Sequence, residues 1–288
     1  MQATSRRNIV VTGSNKGIGY KIIEKLFAGE TPYDLILTSR NTTLGEKAVK
    51  TLQEQYPKSK PTLIYHQLDI TDDKSVDTFV HWLKQTFSKL DVLVNNAAIA
   101  TPVTDDELKI KTVQTNFFSV IKLTEKIIPL LTENAKIVNI SSTVGSLSWQ
   151  GASLRKALED ENLTEEQLYD LGNNFLEVIK DFPKSNFLPE ASYPGSKALL
   201  NAYIRKFLPK KLKENQQCYA ICPGMCDTDM GNGFDGHVPK EVAESIATGT
   251  VGTAEDGADT PVYLINLPFE KNSELNAKFF HKRQIQSY

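Results

Sequence analysis

A strand, a glycine-rich turn and a helix near the N-terminus constrain the fold more than any other stretch of the chain. Residues 8–12 (NIVVT) form a short apolar run, and the letters GSNKGIG follow at once at residues 13–19. Apolar residues then recur at helical spacing across residues 22–27. Gly13 permits a sharp turn, and Gly17 lets the backbone approach a ligand whose negative charge rests on the helix N-terminus. Many glycine turns are only structural, but this context predicts a dinucleotide-binding loop.

Apolar strands and amphipathic helices continue to alternate after this turn. Strands are predicted at residues 34–39, 62–68, 90–94, 136–140 and 218–222, and helices at residues 43–56, 72–87 and 105–131. Such alternation folds into a parallel sheet with right-handed crossovers. We therefore expect an α/β, Rossmann-type, doubly wound parallel sheet of about seven strands with helices on both faces, in a single domain over residues 1–288.

Composition and charge exclude several other classes of protein. The 288 residues are 40% hydrophobic and 24% charged, which suits one large α/β domain or two small ones. The formal net charge of −2 gives no reason to expect nucleic acid as a partner. The apolar run near the N-terminus is too short for a signal sequence or a membrane span. Three cysteines argue against a disulfide scaffold, so we expect a cytoplasmic protein without a membrane partner.

No metal site is predicted. The cysteines Cys218, Cys222 and Cys226 lie in a strand and just after it, where three thiolates do not converge, and no histidine is adjacent. Two of them are expected to be small core residues, whereas Cys226 could present an exposed thiol. The four histidines show no metal-ligand spacing.

Two cations and one carboxylate follow the second and third predicted strands. Arg40 stands about 20 residues beyond the last glycine of the turn, where an NAD enzyme places an acid for the ribose hydroxyls. Arg40 and Lys16 offer two cations for a 2′-phosphate, so NADP is predicted over NAD; the alternative is two solvated surface charges. Asp69 is placed to accept from the adenine amino group, or else it forms only an Asx turn or a helix cap.

Asparagines mark two further positions. Asn95 and Asn96 follow the fourth strand, where they can fix the backbone of a crevice, while Ala97 and Ala98 leave room for a ribose. Asn116 lies inside a predicted helix, although Asn is a poor residue for a helix interior. It serves a buried network or a kink there, or it simply faces water.

A tyrosine and a lysine open a later apolar-periodic segment, with the letters SYPGSK at residues 192–197. If a helix begins here, Tyr193 and Lys197 lie one turn apart on the same face, and Pro194 fits the first turn. A cation beside a phenol lowers its pKa from about 10, so this tyrosine could deliver a proton near neutral pH. Taken alone, such a pair usually marks only an amphipathic rim.

These motifs together resemble those of the short-chain dehydrogenase/reductase family. The motifs occur in the same order as in the family: Gly13-x-x-x-Gly17-x-Gly19, Asn95-Asn96-Ala97-Ala98, Asn116, Ser142, Tyr193-x-x-x-Lys197 and Pro223-Gly224. The resemblance runs from residue 8 to about the C-terminus. Residues 13–20 and 257–264 look closer to the monomeric, NADPH-dependent carbonyl reductases. Ala98 departs from the family's Gly and brings a methyl group near the nicotinamide ribose.

The resemblance implies a catalytic tetrad of Asn116, Ser142, Tyr193 and Lys197. Ser142 and Tyr193 would donate to the carbonyl oxygen of a substrate, and Tyr193 would deliver the proton. Lys197 would hold the nicotinamide ribose and keep the phenol acidic, while Asn116 would anchor a water. The residues implied to bind NADP(H) are Gly13, Asn15, Lys16, Gly17, Ile18, Gly19, Arg40, Asp69, Ile70, Asn95, Ala97, Tyr193, Lys197, Pro223, Gly224, Cys226 and Thr228.

The stretch between Ser142 and Tyr193 is far longer than in most members of the family. The letters TEEQ at residues 164–167 read as the capping box of an additional helix within an insertion at about residues 144–190. The resemblance implies that this insertion covers the helices through which other members dimerise, so we expect a monomer. The alternative is an acidic lid or partner surface, because five carboxylates cluster there: Glu159, Asp160, Glu161, Glu165 and Glu166.

The function expected from the resemblance is NADPH-dependent reduction of ketones, aldehydes or quinones to alcohols. The alternative is a catalytically idle NADP(H)-binding redox sensor or partner-binding protein, although an intact tetrad weighs against it. The physiological substrate depends on three loops, at residues 99–103, 144–149 and 225–234, the last within a predicted substrate loop at residues 225–250. In that loop, residues 231–236 (GNGFDG) are expected to form a flexible segment over the cleft.

Overall fold

Apolar strands alternate their side chains between two helical layers in the computed structural model of the chain. The structure describes residues 6–100, 105–183, 191–232, 251–270 and 274–288, and of residues 231 and 232 the backbone alone. Val10 belongs to the core layer that includes Phe79. Its neighbours Ile9 and Val11 belong to the opposite layer, together with Ile22. This period of two along a strand covered on both faces is the pattern of a doubly wound sheet.

The strands, in chain order, are β1 (Arg7–Val11), β2 (Tyr33–Ser39), β3 (Thr62–Gln67), β4 (Leu90–Asn95), β5 (Leu131–Ile140), β6 (Gln217–Cys222), β7 (Cys226–Asp227), β8 (Gly252–Thr253), β9 (Phe279–His281) and β10 (Gln284–Gln286). The main sheet has eight strands in the order β10-β9-β6-β5-β4-β1-β2-β3, and β7 and β8 form a small second sheet. All pairs in the main sheet are parallel except β9 with β10. The predicted fold class is confirmed.

The helices are α1 (Gly17–Phe27), α2 (Thr42–Gln55), α3 (Asp73–Phe87), α4 (Asp106–Val113), α5 (Val120–Ile127), α6 (Ala152–Glu159), α7 (Glu165–Asn173), α8 (Phe175–Val178), α9 (Ser192–Lys206), α10 (Leu208–Lys211), α11 (Asp229–Asn232) and α12 (Ala254–Asn266). A π-helical turn, Gln114–Ser119, joins α4 to α5. Short 3-10 turns occur at Ile128–Leu130, Thr143–Gly145 and Leu147–Trp149.

Side-chain caps fix where several of these helices begin. Asn41 accepts a hydrogen bond from the backbone of Leu44 before α2, and Asp72 accepts one from Lys74 before α3. Each cap satisfies a backbone N–H that has no partner inside the helix. The helices predicted at residues 43–56 and 72–87 are therefore found within one residue of their expected starts.

The C-terminal hairpin formed by β9 and β10 was not expected from the sequence. Its turn places Lys282 and Arg283 at φ values of 48° and 62°. Left-handed positions in two-residue turns usually hold Asn or Gly, so the sequence lacks the usual hairpin signal. The strands are also only three residues long, too short for a clear periodic pattern.

The insertion predicted between Ser142 and Tyr193 packs onto the helices of one face. Its capping box is present, because Thr164 and Gln167 cap the start of α7 reciprocally. Gly172 lies so close to the π-helical turn that a methyl group there would come 2.7 Å from the Phe118 ring. The insertion therefore covers the α4–α5 region and α9 directly. Its last residues, 184–190, lie outside the described part.

A transmembrane helix is not found in the described ranges, since none of their helices is both long and apolar enough to cross a bilayer.

Candidate active site

A cavity of about 580 Å³ opens at the carboxyl ends of the parallel strands. Most of the residues predicted to bind a cofactor or to act in catalysis line this cavity: Gly13, Asn15, Lys16, Gly17, Ile18, Arg40, Asp69, Ile70, Ala97, Ser142, Tyr193, Lys197, Pro223, Gly224, Cys226 and Thr228. The other three predicted residues, Gly19, Asn95 and Asn116, lie behind its wall. We call the part near Lys16 and Arg40 the outer end and the part near Ser142 and Tyr193 the inner end.

The glycine turn has the geometry that a phosphate cradle needs. Gly13 and Gly17 adopt φ values of 60° and 59°, which L-residues with side chains rarely adopt. A methyl group on Gly13 would also come within 3.0 Å of Ala97. The N-cap residue of α1, Lys16, makes no side-chain capping bond, so the first-turn N–H groups are available to an anion. These donors fit the pyrophosphate of a dinucleotide.

Gly19 is required for packing rather than for contact with a ligand. A methyl group there would lie 2.4 Å from the amide nitrogen of Asn96. That nitrogen donates to the carbonyls of Thr12 (2.9 Å) and Gly13 (3.1 Å). Asn96 therefore braces the glycine turn against the end of β4.

Exposed cations gather at the outer end of the cavity. Lys16 pairs with Asp229, at the start of α11, at 2.5 Å. Arg40 is exposed and lines the same wall. Both predicted cations therefore line the cavity. Asp69 also lines the outer end, and its Oδ1 accepts from the backbone of Thr71 at 2.9 Å. The Asx turn considered as an alternative is thus present, on a residue that still faces the cavity.

Asn95, predicted to bind the cofactor, does not line the cavity. It is buried, and its amide donates to Thr124 (2.9 Å) and Asn139 (2.8 Å) inside the sheet. Successive residues of a strand point to opposite faces, which turns Asn96 rather than Asn95 towards the glycine turn.

Ala98 does not strain the backbone. The described non-glycine residues with positive φ are Ser88, Ala277, Lys282 and Arg283, and Ala98 is not among them. Its methyl group only adds to the cavity wall. The departure from the family's Gly therefore needs no left-handed conformation at this position.

Ser142, Tyr193 and Lys197 meet at the inner end, as predicted. Ser142 is the second residue after the end of β5, and its side chain hydrogen-bonds to the Tyr193 phenol. Tyr193 and Lys197 stand one turn apart on α9, with the lysine Nζ over the tyrosine ring at 5.6 Å from its centre. Nζ also donates to the carbonyl of Ile140 at 2.8 Å. The adjacent Ser141 also lines the cavity, but its hydroxyl donates to Asn201 of α9 rather than to Tyr193.

The pKa of Tyr193 moves in the direction opposite to that expected from the sequence. Burial raises it above its ordinary value, and the hydrogen bond from Ser142 offsets only part of the rise. Lys197 does not counter this, because its ammonium sits over the ring and is bound to the Ile140 carbonyl. Burial also lowers the pKa of Lys197 to about 8. The phenol is therefore protonated at neutral pH, as a proton donor must be.

A model of the short chain dehydrogenase family matches residues 7–154, slightly more than half of the chain. The chain belongs to the short-chain dehydrogenase/reductase family. Its activity is therefore that of an NAD(P)-dependent reductase.

The relatives of this short-chain dehydrogenase/reductase span its whole length. It is 34% identical over 280 residues to carbonyl reductase [NADPH] 1 of Sus scrofa, covering 92% of this chain and 89% of the relative. It is 32% identical over 322 residues to (+)-neomenthol dehydrogenase of Arabidopsis thaliana, covering 100% of both. The solved structure of salutaridine reductase from Papaver somniferum has a TM-score of 0.77 at 28% identity, covering 96% of this chain and 99% of the other.

Asn116, the fourth member of the predicted tetrad, lies fully buried in the π-helical turn. Its side-chain oxygen accepts from the backbone N–H of Ile99 at 2.8 Å, and its nitrogen donates to the Ile99 carbonyl at 2.8 Å and to Ser196 at 3.1 Å. The buried-network interpretation is therefore the correct one, and the water-facing alternative is wrong. Ser196 belongs to α9, so Asn116 links the end of β4 to the catalytic helix. A π-turn is a frequent feature of functional sites.

A Cys–His pair in the wall of this short-chain dehydrogenase/reductase was missed by sequence reasoning. Cys222 was expected to be a simple core residue, yet it lines the cavity beside Tyr193. Burial alone raises the pKa of its thiol, but hydrogen bonds with His281, Thr143 and the Gly224 N–H outweigh burial and lower the pKa overall. Hydrogen bonding to Cys222 raises the pKa of His281. His281 reaches Cys222 because β9 lies next to β6, and no local sequence pattern predicts this strand pairing.

The remaining predictions concern the loops. Cys226 is buried rather than exposed, and burial raises the pKa of its thiol to about 11. Residues 101–103 of the first substrate loop and 233–250 of the last lie outside the described part, and so do residues 233–236 of the GNGFDG segment. Among the residues that are described, no three His, Cys, Asp or Glu side chains cluster as a metal site would require.

Proposed function

We propose that the protein is an NADPH-dependent carbonyl reductase that converts ketones, aldehydes or quinones into the corresponding alcohols. The observation that carries this proposal is the hydrogen-bonded pair of Ser142 and Tyr193 in the wall of the cavity that the glycine turn opens. Lys197 lies beneath the phenol on the same helix face. Two hydroxyl donors that converge on one point suit an oxygen on which negative charge develops.

NADPH is the proposed cofactor because the outer end of the cavity is basic. Arg40 replaces the acid that NAD enzymes use for the ribose hydroxyls, and Lys16 adds a second cation. The relative named carbonyl reductase [NADPH] 1 supports the same choice. The first turn of α1 would hold the pyrophosphate, with Thr228 beside it. When bound, NADPH supplies the hydride.

The chain's own residues then perform the acid chemistry. Ser142 and Tyr193 donate hydrogen bonds to the substrate oxygen and stabilise the alkoxide as it forms. Tyr193 delivers its proton to that oxygen, and burial keeps the phenol protonated until this step. Lys197, one turn further along α9, would hold the ribose hydroxyls beside the phenol.

The described wall beside the tetrad favours an apolar, uncharged substrate. It contains Ile99 and Val144, and Met225 and Met230 also line the cavity, whereas the exposed Lys16 and Arg40 lie at the outer end. Methionine side chains adapt to irregular apolar shapes, which suits a broad substrate range. The relatives named for carbonyl compounds and for neomenthol agree with this class.

A monomer is also proposed. The insertion buries Leu168 and Phe175 in the core and lies across α9 and the α4–α5 region, so it would stand between these helices and a second copy. Sedimentation at the mass of a single chain is expected, whereas a dimer would remove this part of the proposal. A cytoplasmic location stays the prediction made from the sequence.

The experiment is a substrate panel of apolar ketones, aldehydes and quinones, followed by the loss of reduced nicotinamide absorbance with NADPH and with NADH. We expect turnover with NADPH and slower turnover with NADH at equal concentration. NADPH binding, measured by cofactor fluorescence, without turnover of any carbonyl compound would instead support the redox sensor or partner-binding protein.

A further inference from the structure

Three residues spaced by four on α9 face the end of β5. Tyr193, Lys197 and Asn201 lie on one side of the helix, because a step of four residues advances little more than one turn. Tyr193 hydrogen-bonds to Ser142, and Lys197 donates to the carbonyl of Ile140. Both catalytic residues of the helix are thus bound to the last residues of this strand.

Asn201 makes the third contact of this row. The hydroxyl of Ser141, which stands between Ile140 and Ser142, donates to the Asn201 side-chain oxygen at 2.6 Å. Ser141 and Asn201 are 1% and 3% exposed, respectively, so water does not compete for the bond. Hydrogen bonds are stronger in such a low-dielectric interior. Three consecutive residues at the end of β5 and just after it, Ile140 to Ser142, are therefore bound to three successive turns of α9.

Backbone contact makes this junction rigid. Gly145 packs against the helix so closely that a methyl group there would lie 2.7 Å from the backbone of Lys197. No side chain can act as a spacer between the strand end and the helix. A small shift of the strand end along α9 therefore changes the separation of Ser142 from Tyr193, unless another contact prevents it.

A water-sized cavity adjoins Asn201 where α9 meets the segment after β5. Its volume is about 10 Å³, and it is lined by Asn201, Ala198 and Arg205 among others. The side-chain nitrogen of Asn201 has no hydrogen-bond partner among the described residues. A single water would fit the cavity and could satisfy this nitrogen. Both polar atoms of the Asn201 side chain would then be hydrogen-bonded, the oxygen to Ser141 and the nitrogen to the water.

We propose that Ser141 and Asn201 are a positioning pair that sets the distance between the Ser142 hydroxyl and the Tyr193 phenol. The Ser141 hydroxyl is bound to Asn201, and Asn201 is not part of the cavity lining. Their hydrogen bond fixes the end of β5 against α9, so that the two donors converge on one substrate oxygen. This inference rests on the proposed function, in which Ser142 and Tyr193 share that oxygen.

The test compares Ser141→Ala, Asn201→Leu and the double variant with the wild type. Misplacement of a reacting group by about 1 Å can cost about 100-fold, and we expect a loss of about tenfold in kcat for each single variant. The kcat of the double variant should be no more than about twofold lower than that of either single variant, because both changes remove the same bond. NADPH affinity, from cofactor fluorescence, should change by less than about twofold, since the outer end is untouched.

Tyr219→Phe is the matched control. It deletes another buried bond between side chains, from the Tyr219 hydroxyl to Gln217 at 2.5 Å, on the neighbouring strand β6. We expect a lower thermal midpoint in all variants but an unchanged kcat in this control. Lost stability alone would then not explain a loss of kcat in the other variants. The solvent deuterium isotope effect on kcat should rise in Ser141→Ala and Asn201→Leu, because proton delivery by a displaced Tyr193 becomes slower. A smaller fraction of active molecules would leave that isotope effect unchanged.

Crystal structures of the variants provide a readout that does not depend on activity. We expect the separation between the Ser142 and Tyr193 oxygens to lengthen in both single variants and to stay the same in Tyr219→Phe. An unchanged separation, or kcat losses that simply add in the double variant, would overturn the positioning role. Failure of the wild type to reduce any carbonyl compound would refute the proposed function instead, and the crystallographic distances would still decide this inference.

Discussion

Charged side chains at the outer end of the cavity are exposed, whereas polar side chains at the inner end are buried and bound on several sides. Lys16 and its partner Asp229 keep 65% and 75% of their side chains exposed. Lys197 is 2% exposed and bound to the Ile140 carbonyl. An exposed ion pair contributes about 0–1 kcal/mol, while a buried polar group left unpaired costs about 1–3 kcal/mol. We therefore expect the outer end to adjust the affinity for the cofactor and the inner end to fix the geometry of the reacting groups.

The largest effect is expected at the inner end, from Tyr193→Phe. This change removes the proton donor, so kcat should fall by about 100-fold to 10,000-fold, the usual contribution of a general acid. The affinity for NADPH should stay within about twofold, because the outer end supplies most of the charge recognition. Steady-state kinetics and fluorescence titration measure the two quantities separately. A variant that keeps the wild-type kcat would eliminate Tyr193 as the donor.

The pH dependence of stability provides the next test of the inner end. Burial lowers the pKa of Lys197 from 10.5 to about 8. Between these values the unfolded chain binds more protons than the folded chain, so this lysine makes the free energy of unfolding rise with pH. Its penalty is largest below pH 8, where the shift corresponds to about 3 kcal/mol at about 1.4 kcal/mol per pH unit.

Lys197→Met should remove that contribution. As the pH rises from below 8 to 10.5, the wild type should gain about 2–3 kcal/mol in its free energy of unfolding that the variant does not gain. Denaturant unfolding at several pH values measures the difference. Lys136, whose pKa burial also lowers to about 8, is present in both proteins, so its effect cancels. Parallel stability curves for the two proteins would show that Lys197 is not buried as a charge.

At the outer end, Arg40→Asp should weaken NADPH binding about tenfold or more, because a charge-assisted bond to phosphate is replaced by repulsion. NADH carries no 2′-phosphate, so its affinity should stay nearly constant and the preference for NADPH should narrow. Added salt should weaken NADPH binding to the wild type and have less effect on the variant. The same ratio of the two cofactors before and after the change would place Arg40 outside the site.

The smallest effect is expected from Asp229→Asn. This change releases Lys16 from its exposed ion pair, so NADPH should bind about twofold to threefold more tightly, within the range of a surface salt bridge. Asp227→Asn is the matched control, because Asp227 also lines the cavity but has no bond to Lys16 in the described structure. Equal affinities in both variants would mean that Asp229 does not compete with the cofactor for Lys16.

Local patterns were sufficient to predict the sheet and the glycine turn. Both depend on spacing within one element and on the rule that parallel strands end at one edge. The meeting of Ser142 with Tyr193 was expected from the resemblance to the family rather than from spacing. The pKa direction of Tyr193 could not be predicted in this way, because burial depends on the whole surrounding fold. The same holds for the Cys222–His281 pair, which requires β9 to lie beside β6.

Two further features depend on side-chain direction rather than on residue type. Asn95 and Asn96 are the same amino acid, yet only Asn96 faces the glycine turn. Ser141 and Ser142 differ in the same way, and only the fold shows that Ser141 reaches Asn201. Strand periodicity predicts that the side chains of successive residues point in opposite directions, but it does not predict which residues each side chain contacts.

Transfer of deuterium tests the central claim most directly. The wild-type protein would be given NADPH deuterated at both hydrogens of the nicotinamide C4 together with an apolar ketone, and the alcohol product would be analysed by mass spectrometry. We predict one deuterium on the carbinol carbon and a hydroxyl proton that comes from the solvent. Alcohol without deuterium, or no alcohol despite bound cofactor, would contradict carbonyl reduction at the inner end of this cavity.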